Sequence, residues 1–250
     1  MERLPTVLIS ASLKADKFPD STDRLPVPPM GYHHKPPKGR SESQFERDLW
    51  QYFPGKIHTG VLMRKDGYDQ PYVPDFAYLD PASGLHIDIE VDEPYSRDLL
   101  PIHYFGCPKD AIRNQAFLNW GWIVIRFSER QVVKAPASCC KTIASLIAEY
   151  TGDSAIMNAF RQIPTLKPDR RWTEPEAQQM ADRGDRDTYL KPTNVTELKP
   201  KRKRRKSQTQ ETRAALSTLT FYCPECGEGP IRWQGHYVCC PNCLYDAFAL

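Results

Sequence analysis

The chain has 250 residues, 40% of them hydrophobic, which suits one core of moderate size and a smaller module. No apolar run approaches a membrane span and no signal peptide opens the sequence, so a soluble, cytoplasmic protein with no membrane partner is expected. A formal net charge of +3 does not by itself demand a nucleic-acid partner, and 23 prolines imply long irregular stretches.

Residues 1–40 are proline-rich and polar and read as an extended arm with a short apolar anchor at 7–9. The pattern changes at residue 41. Phe45, Leu49, Trp50 and Phe53 recur at helical spacing, with Ser41 or Ser43 placed to cap. Strands are expected at 57–66, 71–80 and 85–92. In the last of these Leu85, Ile87, Ile89 and Val91 share one face, while His86, Asp88, Glu90 and Asp92 share the other. Pro108 and Asp110 start a helix carrying Ile112, Ala116, Phe117 and Trp120. The run GWIVIRF at 121–127 reads as a strand buried on both faces, and residues 138–150 as a further helix. The order is therefore α-β-β-β-α-β-α. Residues 151–175 add a small helical extension, and 176–216 have little to bury and read as a partly disordered linker.

Two motifs carry chemistry. Asp75 lies beside Glu90 if strands two and three form a hairpin. Clustered carboxylates repel unless a cation sits among them, and hard oxygen ligands suit Mg²⁺ or Mn²⁺. A metal-dependent nuclease is the expected activity. The second motif is the pair of C-x-x-C knuckles, Cys223/Cys226 and Cys240/Cys243, whose thiolates complete a tetrahedral Zn²⁺ site. Trp233 and Tyr237 lie in segments that alternate like a hairpin between them, and the module resembles a zinc ribbon. Cys239 is then a spare thiol, and Cys107, Cys139 and Cys140 are assigned no chemistry. The basic tract Lys201, Arg202, Lys203, Arg204, Arg205 and Lys206 attracts phosphate; the alternative is a solvated linker.

Pro74-Asp75 with Glu90, FERDLW at 45–50, IEVDE at 89–93 and RNQAFLNWGWIVIRFSE at 113–129 together resemble the PD-(D/E)xK nuclease superfamily, more narrowly its very-short-patch-repair-like branch. The resemblance covers roughly residues 41–150. It implies an α/β, restriction-endonuclease-like αβββαβ core with a mixed sheet, and a small C-terminal zinc ribbon outside it. The implied domains are an arm at 1–40, the nuclease-like domain at 41–150, an extension and basic linker at 151–217, and the ribbon at 218–250. Asp75 and Glu90 become the Mg²⁺-binding acids, and Glu46 the helical acid near the metal, against the alternative that Ser43 and Glu46 form a capping box. Asp92 occupies the place of the E-x-K lysine. Lys109, Arg113 and Gln115 are candidates for that role. His103 matches a histidine of this branch and is otherwise a surface loop residue. Arg126 is expected in a structural ion pair, Asp80 in a turn, and Asp88 and His86 either solvated or paired with a helix.

The resemblance thus implies a metal-dependent DNA endonuclease acting in defence, repair or mobile-element processing. The competing reading is a degenerate nuclease fold, an adaptor that binds nucleic acid or a protein complex through its ribbon.

Overall fold

The computed structural model describes residues 2–9, 13, 25–33, 36, 38–64 and 71–190, and the backbone of three short strands between 232 and 248. It divides into two units, residues 1–193 and 194–250. In the first, β1 (Arg3–Leu4), β2 (Thr6–Leu8) and β3 (Gly31–Tyr32) precede α1 (Glu42–Tyr52). Next come β4 (Ile57–His58), β5 (Val61–Leu62), β6 (Phe76–Asp80), β7 (Leu85–Asp92), α2 (Pro108–Asn119) and β8 (Ile123–Ser128). The unit ends with α3 (Glu129–Lys134), α4 (Pro136–Thr151), β9 (Asp169–Arg170) and α5 (Glu174–Arg183).

A mixed five-stranded sheet of order β2-β8-β7-β6-β4 forms the centre of this α/β unit. The one parallel pair is β7–β8, joined through α2; the other pairs are antiparallel. Period-two alternation along β7 explains how the sheet is covered. Ile87, Ile89 and Val91 bury against Phe45 and Leu49 of α1 and Ile143 and Ile147 of α4. On the opposite face Ala77, Leu79 and Val124 pack against Phe117 of α2 and Trp122. Phe45, Leu49, Ile87 and Phe117 are fully buried, and each contributes roughly 1.5–3 kcal/mol by leaving water.

Several expectations need correction. The strand expected at 57–66 breaks at Gly60, whose φ of 68° sends β5 off to pair with β3 instead of continuing beside β6. The strand expected from 71 starts at Phe76, because Pro74 has no N–H to give the ladder. Trp50 is 50% exposed and Ile112 63% exposed, so neither belongs to the buried stripe. Each lies about one residue, or 100°, round from it. The arm contributes more than an anchor: β2 is the edge strand of the main sheet, and β1 pairs with β9. The expected linker begins inside α5, whose Ala177 and Ala181 are buried.

In the second unit Arg232–Gln234, Tyr237–Cys239 and Asp246–Phe248 form an antiparallel three-stranded sheet, with Trp233 opposite Val238. The expected hairpin is there. Cys223, Cys226, Cys240, Cys243 and the basic tract at 201–206 lie outside the described residues. No helix among the described residues is long and apolar enough to cross a membrane.

Candidate active site

Asp75 stands just before β6, one step beyond the register pair Phe76–Ile89, and so meets Glu90 across the hairpin. Its carboxylate accepts a 2.8 Å bond from the Val91 amide, while its own amide donates to Glu90 Oε1 at 3.2 Å. Burial pushes the Asp75 carboxyl well above its ordinary range, and the charges of Glu90 and Glu42 raise it further.

Glu90 is held differently. Burial alone would raise it, but the guanidiniums of Arg113 and Arg126 outweigh that and hold it below its ordinary value. Arg113 reaches from α2 to Glu90 at 2.8 Å and to Asp88 at 2.7 Å, its flat side 4.6 Å from the Phe117 ring centre. Asp88 therefore pairs with a helix, as one expectation had it. Even so, burial lifts its carboxyl to about 8, partly offset by Arg113. His86 does neither of the expected things. It is half-buried beside Trp122, its Nδ1 has no hydrogen-bond partner, and burial lowers its pKa to about 4.

Among the expected acids, Glu46 and Asp92 are engaged away from the Asp75–Glu90 pair. Glu46 is buried on α1 and accepts a 2.6 Å bond from Lys38 Nζ, leaving its Oε1 without a partner. The Ser43–Glu46 capping box is not formed, since α1 begins at Glu42 and puts Ser43 inside the helix. The α1 acid that meets Asp75 and Glu90 is Glu42, one turn earlier. Burial raises Glu42 to about 7, the Gly39 amide pulls it down, and Glu93 and Glu90 push it up. Sequence spacing puts Glu42 and Glu46 on one helix face but does not say which turn meets the strand ends. Gly39 matters here, because a Cβ at this position would collide with the Glu42 carboxylate and lie 2.9 Å from that of Glu93.

Asp92 belongs to a buried network that Arg126 links to Glu90, its Nη1 lying 4.0 Å from Glu90 Oε2. Arg126, opposite Glu90 in the parallel ladder, binds Asp92 at 2.6 Å and lies 3.3 Å from Asp110. Arg171 joins both acids, at 3.4 Å and 3.0 Å. Arg126 thus makes the expected ion pair. His103 belongs to this network rather than to an open surface. Its Nδ1 sits 2.9 Å from Asp110 Oδ1 and 3.0 Å from Arg126 Nη2, so it donates to the first or accepts from the second, never both. Burial opposes its protonation, but Asp110 and Asp92 prevail and raise it. A φ of 49° marks strained backbone at His103. Of the expected α2 groups only Arg113 faces the acids: Lys109 is exposed, and Gln115 is exposed and bonds Asn119. Asp80 bonds the Ala82 amide, the expected turn contact, and also Lys56 at 2.8 Å.

A cavity of about 180 Å³ opens beside the carboxylates, lined by Lys38, Glu42 and Asp75 with His33, Thr59 and Val73. A larger one of about 390 Å³ lies at the ends of β7 and β8, but Arg130, Arg170 and Arg183 in its wall are paired with Asp169, Glu176 and Asp185. The smaller cavity has the chemistry. Glu90 and Glu42 raise the proton affinity of Asp75, and Glu90 raises that of Glu42, so the three carboxyls share one place and offer the oxygen donors that a hard divalent cation takes. As they stand they do not enclose a coordination sphere: among the described residues no three His, Cys, Asp or Glu side chains are arranged to hold a metal ion. Arg113 occupies the Glu90 side of the group. No protein-family model matches this chain, and neither a curated protein nor a solved structure is significantly similar to it.

Proposed function

We propose that the chain is a divalent-cation-dependent DNA endonuclease with a restriction-endonuclease-like core of the PD-(D/E)xK kind. One observation carries the reading: Asp75 and Glu90 meet across the β6–β7 hairpin with Glu42 as a third acid, a cluster of carboxyl oxygens next to a cavity. Among the described residues no guanidinium is hydrogen-bonded to Asp75 or Glu42, and Glu90 would complete the set when Arg113 gives way. Mg²⁺ or Mn²⁺ bound there would lower the pKa of a water and offset charge on the phosphoryl oxygens. Around it, Arg113 keeps Glu90 ionised, the Val91 amide orients Asp75, and the Arg126 network fixes the strand ends behind them. A Zn²⁺ ribbon at 218–250 and the basic tract at 201–206 would add salt-sensitive grip on DNA.

The test is nicking of supercoiled plasmid in Mg²⁺. Cleavage that disappears on adding EDTA and in Asp75→Asn and Glu90→Gln supports the enzyme. A second reading, the noncatalytic adaptor, is favoured by the Arg113–Glu90 ion pair, which already neutralises one of the two central acids. Plasmid binding without any nicking, unchanged in both variants, would select it.

A further inference from the structure

The nuclease reading leaves one role open. A phosphodiester undergoing hydrolysis needs a cation near its non-bridging oxygens, and Asp92, in the place expected for a lysine, is an acid buried against Arg126. The nearby guanidiniums are already engaged: Arg113 bonds both Asp88 and Glu90, and Arg126 bonds Asp92 and lies against Asp110.

Lys38 is different in three respects. Its side chain is 31% exposed and lines the cavity that Asp75 and Glu42 line. Among the described residues of that cavity wall it is the only lysine or arginine. Its Nζ lies 2.6 Å from Glu46 Oε2, an interaction that uses one of three N–H donors and aims the ammonium. Glu46 itself is 6% exposed, with its other oxygen unpartnered, so it is a buried anchor rather than a solvated counter-ion. Gly39 follows Lys38, and a Cβ there would meet the Glu42 and Glu93 carboxylates, so a larger residue makes those side chains move.

We propose that Lys38 is a catalytic residue of this site, its ammonium contacting a non-bridging oxygen of the scissile phosphate, with Glu46 as its positioning residue. The proposal rests on the nuclease reading. In the step it assists, a water oxygen bonds to phosphorus as the P–O3′ bond breaks. One water proton ends on the departing 3′ oxygen, leaving a 5′-phosphate and a 3′-hydroxyl. Lys38 stays protonated and meets the charge that builds on the phosphoryl oxygen. The sequence hid this assignment, because Lys38 falls in a proline-rich segment with no periodicity, four residues before the helix whose acids it serves.

The test uses the full chain, supercoiled plasmid and Mg²⁺, with single-turnover rates, plasmid affinity in Ca²⁺ and thermal unfolding read in parallel. Lys38→Met is expected to slow cleavage by about 100-fold or more while plasmid affinity changes only a few-fold. Lys38→Arg should recover much of the rate. Since Lys38→Met also strands a buried Glu46, the double variant Lys38→Met/Glu46→Gln is the control: stability should return to the wild-type value and cleavage should not. Wild-type cleavage by the double variant would overturn the proposal and reduce Lys38 to neutralising Glu46. If instead the wild-type chain fails to nick, or Asp75→Asn nicks as well as wild type, the nuclease reading itself falls and takes this assignment with it.

Discussion

Arg113 Nη2 lies 2.8 Å from Glu90 Oε1, and its other terminal nitrogen lies 2.7 Å from Asp88 Oδ2. One guanidinium thus serves two buried carboxylates on the same face of β7. Removing it leaves both without their cation in a poorly solvated place. Arg113→Leu is expected to destabilise the fold by about 3–5 kcal/mol in urea unfolding. A loss below about 1 kcal/mol, the size expected of an exposed pair, would show that these acids are better solvated than their burial implies.

Asp88 and Glu42 each make stability depend on pH. Both hold protons more tightly when folded, Asp88 at about 8 against 3.8 and Glu42 at about 7 against 4.5. At these two groups the folded state binds more protons across that window, so the stability they contribute falls as pH rises from about 4 to 8. Asp88→Asn should flatten the decline in a series of unfolding curves taken in the absence of divalent ions. An unchanged slope would assign the protons elsewhere.

Cation binding should run the other way. Below pH 7 an incoming Mg²⁺ must displace the proton on Glu42 and compete with that on Asp75. Affinity measured by calorimetry should therefore tighten between pH 6 and 8, by up to about tenfold per unit for each proton displaced, with proton release that varies with buffer. Glu42→Gln should weaken binding and flatten the pH dependence. A pH-independent affinity would place the cation away from these acids.

The Asp92–Arg126–Asp110–His103 network predicts a different phenotype. Arg126→Met takes from Asp92, at zero exposure, its closest cation and leaves it Arg171 at 3.4 Å, and a cost of up to about 3–5 kcal/mol is expected in the same unfolding assay. His103→Ala should be milder, and its effect should fade at alkaline pH. The raised pKa of His103 stabilises fully below its unfolded value of 6.5, and that contribution is lost as pH climbs through the folded value. Equal destabilisation at pH 6 and pH 9 would argue against an ionised His103.

Residues 1–193 and 194–250 are separate units. A shortened protein ending at Thr193 should keep the wild-type urea midpoint within error, because the sheet, α1, α2 and both charge networks all lie before that point. A lowered midpoint would reveal dependence on the second unit.

What the sequence discloses depends on how local the determinant is. The β7 face assignment follows from alternation alone, and the Asp75–Glu90 meeting follows from alternation plus a short turn. Both are local. Choosing Glu42 over Glu46 requires knowing which turn of α1 meets the strand ends, a tertiary fact. Asp92 looks like part of the acid face until the parallel register sets Arg126 beside that face. Strand β2 has three residues, too few for a period to register. Helix α5 is largely polar, and its apolar stripe, Ala177, Met180 and Ala181, is short and made mostly of small side chains, so it is a weak signal. Its start was nonetheless written in the chain, since Thr173 and Glu176 form a reciprocal capping box.

The edge strand at Thr6–Leu8 has a practical consequence. Val7 sits opposite Ile125, so the three residues of β2 shield the outer rim of the strand that holds Arg126. Stripping them away would bare a row of unsatisfied amides and carbonyls bordered by Ile123 and Ile125, a template onto which another molecule's chain could add. Limited digestion near residue 10 would then show itself first as self-association, before any loss of helical signal.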